Sequence, residues 1–544
     1  MNAGALQDDA AAMLRAARAA YATDKAACAQ IDDLERRLRE PLRLALAGMV
    51  KAGKSTLLNA MLGEEIAPTD AGECTRVVTW YRYSATPSVT MRLKTGEERR
   101  MPVRRVDDRL VLDLGETPAD DVALLEVGWP LEVLKSMILI DTPGIASLSG
   151  DTSARAARFL APEESPSSAD AVLYLMRHLH PSDVKFLEAF RDTAAGVWQT
   201  ICAIGVLSRA DEIGSGRIDS LLSARKVARR YEREGQLAAL ALGVLPVAGL
   251  VAQGAKTLRE SEYTAFCALA AMERLDREKL LVSADRFVAP TDTVAMTPAE
   301  RSALLARFGM YGVRLATALI RGGATSSSAL AEQMVAQSGL NELQQFVRDQ
   351  FRTRATTLKV RGILMALENV LRDRPRDGLD EVRAGIERIS AGAHALRELS
   401  VLATARGEGL PLAEADAAEA QVILGLRGPA AHTRLGMPEE STPHELRERA
   451  ETLTARWRRL SESPLTDRAA VAVCRTVLRS LAEIASEVGS GGRDRAGADV
   501  VLPGGPVDGL RQDAAPEGQQ DDRAPDDEQR AQRLPALAQR DQLG

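Results

Sequence analysis

The stretch that decides the fold runs Leu44-Ala45-Leu46-Ala47-Gly48-Met49-Val50-Lys51-Ala52-Gly53-Lys54-Ser55-Thr56-Leu57-Leu58. A short apolar run, which reads as a buried strand, passes into G-x-x-x-x-G-K-S and then into the apolar start of a helix. This is the strand–loop–helix setting of a phosphate-binding P-loop. Gly48 and Gly53 let the backbone close around an anion where a Cβ would collide. The backbone N–H groups of Lys51, Ala52, Gly53 and Thr56 and the positive end of the helix are suited to a β-phosphate. Lys54 is suited to the β- and γ-phosphates, and the Ser55 hydroxyl to Mg²⁺.

Downstream, apolar strands alternate with amphipathic helices to about residue 284, the pattern of an α/β domain with a mostly parallel sheet. After the P-loop helix, the polar loop 67–76 carries Thr75 and leads into a strand over 77–83. A threonine there is placed to close over a γ-phosphate and give Mg²⁺ a second hydroxyl. Residues 137–140 read as a strand ending in Asp141-Thr142-Pro143-Gly144. Asp141 is suited to the Mg²⁺ shell and the Gly144 N–H to the γ-phosphate. A further strand, 201–207, ends in Ser208-Arg209-Ala210-Asp211. GTPases carry Asn/Thr-Lys-x-Asp at this place. Asp211 can accept from guanine N1 and N2, and the Arg209 guanidinium can stack on the base; Ser208 departs from the pattern. Residues 244–249 read as the last strand and a base-lining loop, with the Ala248 N–H offered to guanine O6.

Composition sets the frame. A chain of 544 residues exceeds one ordinary core, so more than one domain is expected. Aromatics are only 3%, which favours helices over a sheet-rich architecture. A net charge of −6 gives no general case for nucleic-acid binding. The five cysteines are scattered and read as reduced thiols. The N-terminus lacks the basic-then-apolar pattern of a signal peptide, and the longest apolar run, 237–252, is short for a membrane span. Any membrane contact is therefore expected to be peripheral.

Apolar spacing predicts one amphipathic helix over about 8–38, ahead of the first strand. From about residue 298 strand signals vanish. Helical patterning covers 299–319, 328–335, 340–371, 379–402, 443–460 and 465–488. The 340–371 segment would be about 48 Å long at 1.5 Å per residue. Residues 490–544, rich in Gly, Pro, Gln and charge, read as disordered. The Arg-rich turn 372–378 and the apolar loop 424–436 are the candidate membrane-facing tips, expected at one common end.

Together, the P-loop segment 48–63, the Glu73-Cys74-Thr75-Arg76 loop, Asp141–Gly144, Leu207–Glu212 and Pro246–Leu250 resemble those of bacterial dynamin-like GTPases, particularly the actinobacterial isoniazid-induced Ini proteins. Ser338-Gly339-Leu340, Phe346 and Phe351–Ala355 resemble that family's helices after the G domain. The likeness spans roughly 8–488. It implies an N-terminal helix (1–40) joining a helical neck, a G domain (41–290), a helical neck and trunk (291–488) and a tail (489–544). It also implies GTP hydrolysis coupled to association of G domains, with a second copy or a related dynamin-like partner. The trunk tip would bind anionic lipid and remodel the plasma membrane from the cytoplasmic side. By the motif match, Lys54, Thr75 and Gly144 serve catalysis, Ser55, Thr75 and Asp141 hold Mg²⁺, and Arg209 and Asp211 read guanine; Ser208 and Ala248 stand with them among the candidate nucleotide-binding residues. Departures are Val50 and Lys51, where eukaryotic dynamins place Gln and Ser, and Ile145, where small GTPases place a water-positioning Gln. Two other classes stay open at this level: a GTP-regulated ribosome or RNA factor, and a helical scaffold that binds GTP with negligible hydrolysis.

Overall fold

The computed structural model describes residues 3–68, 76–106, 109–143, 169–193, 202–233, 237, 240–407 and 409–496. Its strands in chain order are β1 (Leu42–Gly48), β2 (Thr79–Tyr83), β3 (Ser88–Leu93), β4 (Glu98–Met101), β5 (Arg104–Val106), β6 (Arg109–Val111), β7 (Val122–Trp129), β8 (Met137–Asp141), β9 (Ala171–Met176), β10 (Ala203–Ser208) and β11 (Val244–Val247). Nine of them form one sheet in the order β11-β10-β9-β1-β8-β2-β7-β3-β4; β5 and β6 form a separate hairpin. The five strands from β11 to β8 run parallel. Every residue of β1, β9 and β10 is buried, because helices cover both faces and leave no side for polar residues. β2 turns antiparallel against β8, and β3 and β4 extend that edge antiparallel. The alternating burial of β3 and the exposed arginines of β4 belong to a half-covered sheet edge.

Helix α1 (Ala3–Ala20) and helix α2 (Lys25–Arg39) replace the single expected helix over 8–38. Asp24 stops the pattern: its carboxylate accepts from the N–H groups of Ala26 and Ala27 and starts a new helix. Apolar spacing continues in phase across the turn, so periodicity alone joins the two. Along the sheet lie α3 (Lys54–Leu62), α4 (Val133–Ser136), α5 (Pro181–Thr193), α6 (Ser220–Arg233) and α7 (Gly249–Lys256). Next come α8 (Glu260–Ala271), α9 (Arg274–Leu280), α10 (Ala284–Val288), α11 (Pro298–Arg321) and α12 (Ser327–Ala336). Thr297, Glu300 and Pro298 give α11 a capping box with proline in its first turn.

Among the described residues, α11 alone has the length and composition of a membrane span. Here it is a core helix. Leu304, Phe308, Val313 and Ala316 are buried, and Arg307 is paired midway with Glu65 and Glu262. The core on this side of the sheet runs without a break from Leu44 and Leu57 through Phe266 and Phe308 to Leu343 and Trp457.

The predicted single helix over 340–371 is instead α13 (Leu340–Phe346), a π-helical turn (Val347–Arg352) and α14 (Ala355–Asp373). The widened turn lets Phe351 meet Phe346 edge-on at 5.9 Å and Gln350 donate to the Leu426 carbonyl. Tertiary partners, which no periodicity records, thus set the break. α15 (Asp380–Gly392) and α16 (His394–Gly407) divide the expected 379–402 helix, and α17 (Glu414–Ile423), α18 (Ala431–Leu435), α19 (Pro443–Glu462) and α20 (Arg468–Ala496) follow. α20 carries helix seven residues past the expected start of the tail at 490; the rest of the tail lies outside the described residues.

α1 and α2 pack on α14 and α15 through Leu14, Tyr21, Ile31 and Leu38 against Ile363, Leu367 and Val382. A buried polar hub joins this bundle to the sheet. The Arg37 guanidinium donates to Asp170 at 2.6 and 3.1 Å, the Arg43 N–H donates to the same carboxylate at 2.9 Å, and Lys359 donates to the carbonyls of Leu38 and Glu40.

The loop 424–436 is not an exposed tip. Leu424 and Leu435 are buried, and Arg354 holds the Leu424 and Gly425 carbonyls at 3.2 and 2.7 Å. The turn 372–378 lies at the other end of α14, where Arg374 pairs with Asp24 and Arg376 covers the Tyr21 ring. The 19 residues of α14 separate the two segments by about 28 Å, so they do not share one end.

Candidate functional site

Four loops meet at the carboxyl edge of the parallel strands, where open α/β sheets bind their ligands. The first leaves β1. A Cβ on Gly48 would lie 2.3 Å from the Leu175 carbonyl oxygen of neighbouring β9, so no other residue fits. Gly53 has open space but φ +91, and Lys51 also takes a left-handed backbone, φ 63. The loop therefore curls into a nest of N–H groups that ends at the start of α3.

Lys54 stands inside this nest, its ammonium 3.3 and 3.4 Å from the carbonyls of Gly48 and Met49. Ser55 donates to Asp141 Oδ2 at 2.9 Å, whereas the buried Asp141 Oδ1 has no partner. Burial pushes the Lys54 ammonium down and the Asp141 carboxyl up, each partly offset by the other's charge. Both charges are thus desolvated and only partly compensated, the state of a site shaped for charged ligands. Thr142 ties this loop back to β1 through its hydroxyl on the Leu46 carbonyl, 2.8 Å.

The third loop leaves β10. The Ser208 hydroxyl donates to the Met176 carbonyl at 3.1 Å, bridging β10 and β9. Arg209, left-handed at φ 52, donates to Glu212 at 2.8 Å and to the Lys51 carbonyl at 3.2 Å. Burial pushes the Asp211 carboxyl up to about 6. Between this loop and the P-loop lies a cavity of about 150 Å³, bounded by Gly53 and Thr56, by Ser208 and Asp211, and by Gly249 and Leu250.

The fourth loop corrects one assignment. The Ala248 N–H is not available to a base: it donates to the Ser338 carbonyl at 2.8 Å. The Ser338-Gly339-Leu340 segment sits directly on β11, and a Cβ on Gly339 would lie 2.2 Å from the Pro246 carbonyl oxygen. Thr75 and Gly144 lie outside the described residues.

The model of the dynamin family matches residues 44–189, the stretch that contains the P-loop, β8 and β9. IniC of Mycobacterium tuberculosis, an isoniazid-induced protein, is 38% identical over 458 residues, covering 84% of this chain and 92% of IniC. The chain belongs to the bacterial dynamin-like family. A bacterial dynamin-like protein of Nostoc punctiforme is 31% identical over 152 residues, 26% of this chain and 21% of that protein. A solved structure of an oligomerised bacterial dynamin pair aligns with 92% of this chain and 76% of its own at 11% identity and a TM-score of 0.34; at that score it adds nothing to the sequence relatives.

In this dynamin-like chain, the sequence assigned no role to three groups at the site. Glu212 bridges Arg209 to Arg177, which donates to it at 2.7 Å. Gly309 breaks the helical backbone inside α11 at φ 63, ψ 174, and a Cβ there would stand 3.7 Å from Asp211 Oδ2. Arg314, five residues on, donates to the carbonyls of Ser215 and Gly216. The carboxylate directly after Asp211 was the one available sequence signal; the others depend on a helix 98 residues away in the chain.

Proposed function

We propose that this chain binds GTP with Mg²⁺ and hydrolyses it to GDP and phosphate. The observation that carries this reading is the convergence of Lys54, Ser55 and Asp141 beside a cavity whose far wall bears Asp211. In the reading, Asp211 accepts from guanine N1 and N2, and the Arg209 guanidinium stacks on the base. Lys54 exchanges its two carbonyl partners for β- and γ-phosphate oxygens, and the N–H nest of the P-loop wraps the β-phosphate. Ser55 and Asp141 are the residues that would hold Mg²⁺. Both offer hard oxygen donors, and the unpartnered Asp141 Oδ1 fits a cation. When bound, the ion offsets charge on the phosphates. Thr75 adds a hydroxyl to that shell and Gly144 an N–H toward the γ-phosphate. Ser208 acts from behind, fixing β10 against β9.

Family membership supports the rest. Association of the G domain with a second copy, or with a related dynamin-like partner, couples turnover to peripheral binding and remodelling of the plasma membrane at its cytoplasmic face. Residues 1–40 serve with the helical neck, 41–290 as the G domain, 291–488 as neck and trunk, and 489–544 as tail. The net charge of −6 disfavours the RNA-factor alternative.

The test is GTP turnover by the full chain against protein concentration, with and without anionic vesicles, together with vesicle co-sedimentation. Specific activity should rise with concentration, and protein should sediment with the vesicles. Lys54→Ala should reduce turnover to background; wild-type activity in that variant would sink the assignment. Measurable GTP binding with no turnover at any concentration would leave a nucleotide-binding scaffold.

A further inference from the structure

We propose that Arg314 and Gly309 of α11 position Asp211 for the guanine base, so that base selectivity is set from a helix beyond the last strand of the sheet. This deepens the GTPase reading, on which it rests, by naming what holds the Asp211 carboxylate in place. Asp211 opens a loop whose backbone is unusual. Gly214, Ser215 and Gly216 are all left-handed, at φ 75, 63 and 68, and a serine does not settle there without support. Within the loop, the Ser215 N–H donates to the Glu212 carbonyl at 3.2 Å. The chain then folds back on its start: a Cβ on Gly216 would lie 3.7 Å from the Asp211 carbonyl oxygen.

Arg314 supplies the support. Its guanidinium donates to the carbonyls of Ser215 and Gly216 at 3.2 and 2.6 Å, to that of Leu281 at 2.9 and 2.7 Å, and to that of Val282 at 2.8 Å. This is one bond for each N–H of an arginine side chain, and every acceptor is main chain. The planar fork therefore clamps the loop after Asp211 to the turn between α9 and α10, which the single point charge of a lysine could not do.

Gly309 is the second, independent observation. Its φ 63 and ψ 174 fall in a backbone region essentially reserved for glycine. A break inside a buried helix sacrifices stability, and here its neighbour gives the reason. A Cβ on Gly309 would stand 3.7 Å from Asp211 Oδ2 and 3.7 Å from Leu250 Cδ2, and Leu250 bounds the base cavity. The flanks hold the break: Arg307 is paired with Glu65 and Glu262 before it, and Tyr311 is buried after it. Gly309 thus shapes the space behind the carboxylate, and Arg314 fixes the chain that follows it. Neither lines the base cavity; both are positioning residues that act through Asp211.

The test uses the full-length protein, with GDP and IDP affinities read by displacement of a fluorescent GDP analogue. IDP lacks the exocyclic amine that Asp211 would accept from, so the GDP-to-IDP preference reads the carboxylate and not the phosphate site. Arg314→Ala should raise KM for GTP at least about tenfold with kcat within about threefold, and most of the GDP-to-IDP preference should vanish. Guanidinium ion at millimolar concentration should restore part of that preference. Gly309→Ala should act in the same direction. In the Asp211→Asn background, Arg314→Ala should change GDP affinity by less than about threefold, since both remove one effect. Should Arg314→Ala fail to fold by circular dichroism, Arg314→Lys carries the same readout. Wild-type preference in the Arg314 variant, equal weakening of GDP and IDP, or fully multiplicative losses with Asp211→Asn would overturn the proposal. Absence of GDP binding by the wild-type protein would instead overturn the GTPase reading beneath it.

Discussion

Replacing Asp211 by Asn should make the nucleotide-free protein more stable while costing it guanine. In the folded chain the Asp211 carboxyl titrates at about 6 rather than 3.8, because burial disfavours its charge. That rise corresponds to about 3 kcal/mol of preference for the protonated form. The raised value means that the fold holds this proton where the unfolded chain has lost it. Stability from this group is therefore fully present below about pH 4, declines as pH rises toward 6, and stays lower at pH 7. An asparagine carries no such dependence. The wild-type minus variant difference in urea unfolding should thus favour the variant at pH 7 and shrink toward pH 4. The ligand effect has the opposite sign. Two hydrogen bonds from guanine to a charged acceptor, each worth about 1.5–3 kcal/mol, should be lost, weakening GDP binding by about 10² to 10⁴. Xanthine presents a carbonyl where guanine presents an amine, so the new amide should bind XDP in preference to GDP. Competition titrations with GDP and XDP give the ligand arm. GDP affinity within threefold of wild type in Asp211→Asn would refute the base-site reasoning; an unchanged pH slope would refute the burial argument.

Two further changes test the parts that surround the site. Asp170→Ala takes the ion-pair carboxylate from the buried Arg37 guanidinium and the acceptor from the Arg43 N–H, so urea unfolding should show a loss of about 3–5 kcal/mol, whereas Asp170→Leu with Arg37→Met should recover most of it. Gly339→Ala places a methyl 2.2 Å from the Pro246 carbonyl oxygen at a positive φ; melting temperature should fall and, on the proposed reading, GDP affinity with it, because Ser338 accepts the Ala248 N–H beside the cavity between the β10 loop and the P-loop. Tight GDP binding with lowered stability would show that the α13 start supports the fold alone.

The candidate site of this protein was legible because its demands are local. An anion nest needs glycines at fixed spacing after a strand, and Gly48, Gly53, Lys54 and Ser55 stand in that order within eight residues. Asp141 and Asp211 end apolar runs, and a parallel sheet brings strand ends to one edge, so the alternation of elements already implied their meeting. Tertiary structure decided what depends on distant partners. Whether the Ala248 N–H faced a base or a carbonyl turned on Ser338, ninety residues later. Whether 424–436 was an exposed loop turned on Arg354 and the buried sides of Leu424 and Leu435. The breaks at Tyr21–Asp24 and at Val347–Arg352 left the apolar spacing intact, so periodicity read straight through them. The order of residues determines which chemistry a segment can carry. Only packing determines which backbone groups remain free to carry it, because each buried N–H and carbonyl takes the nearest partner the fold brings.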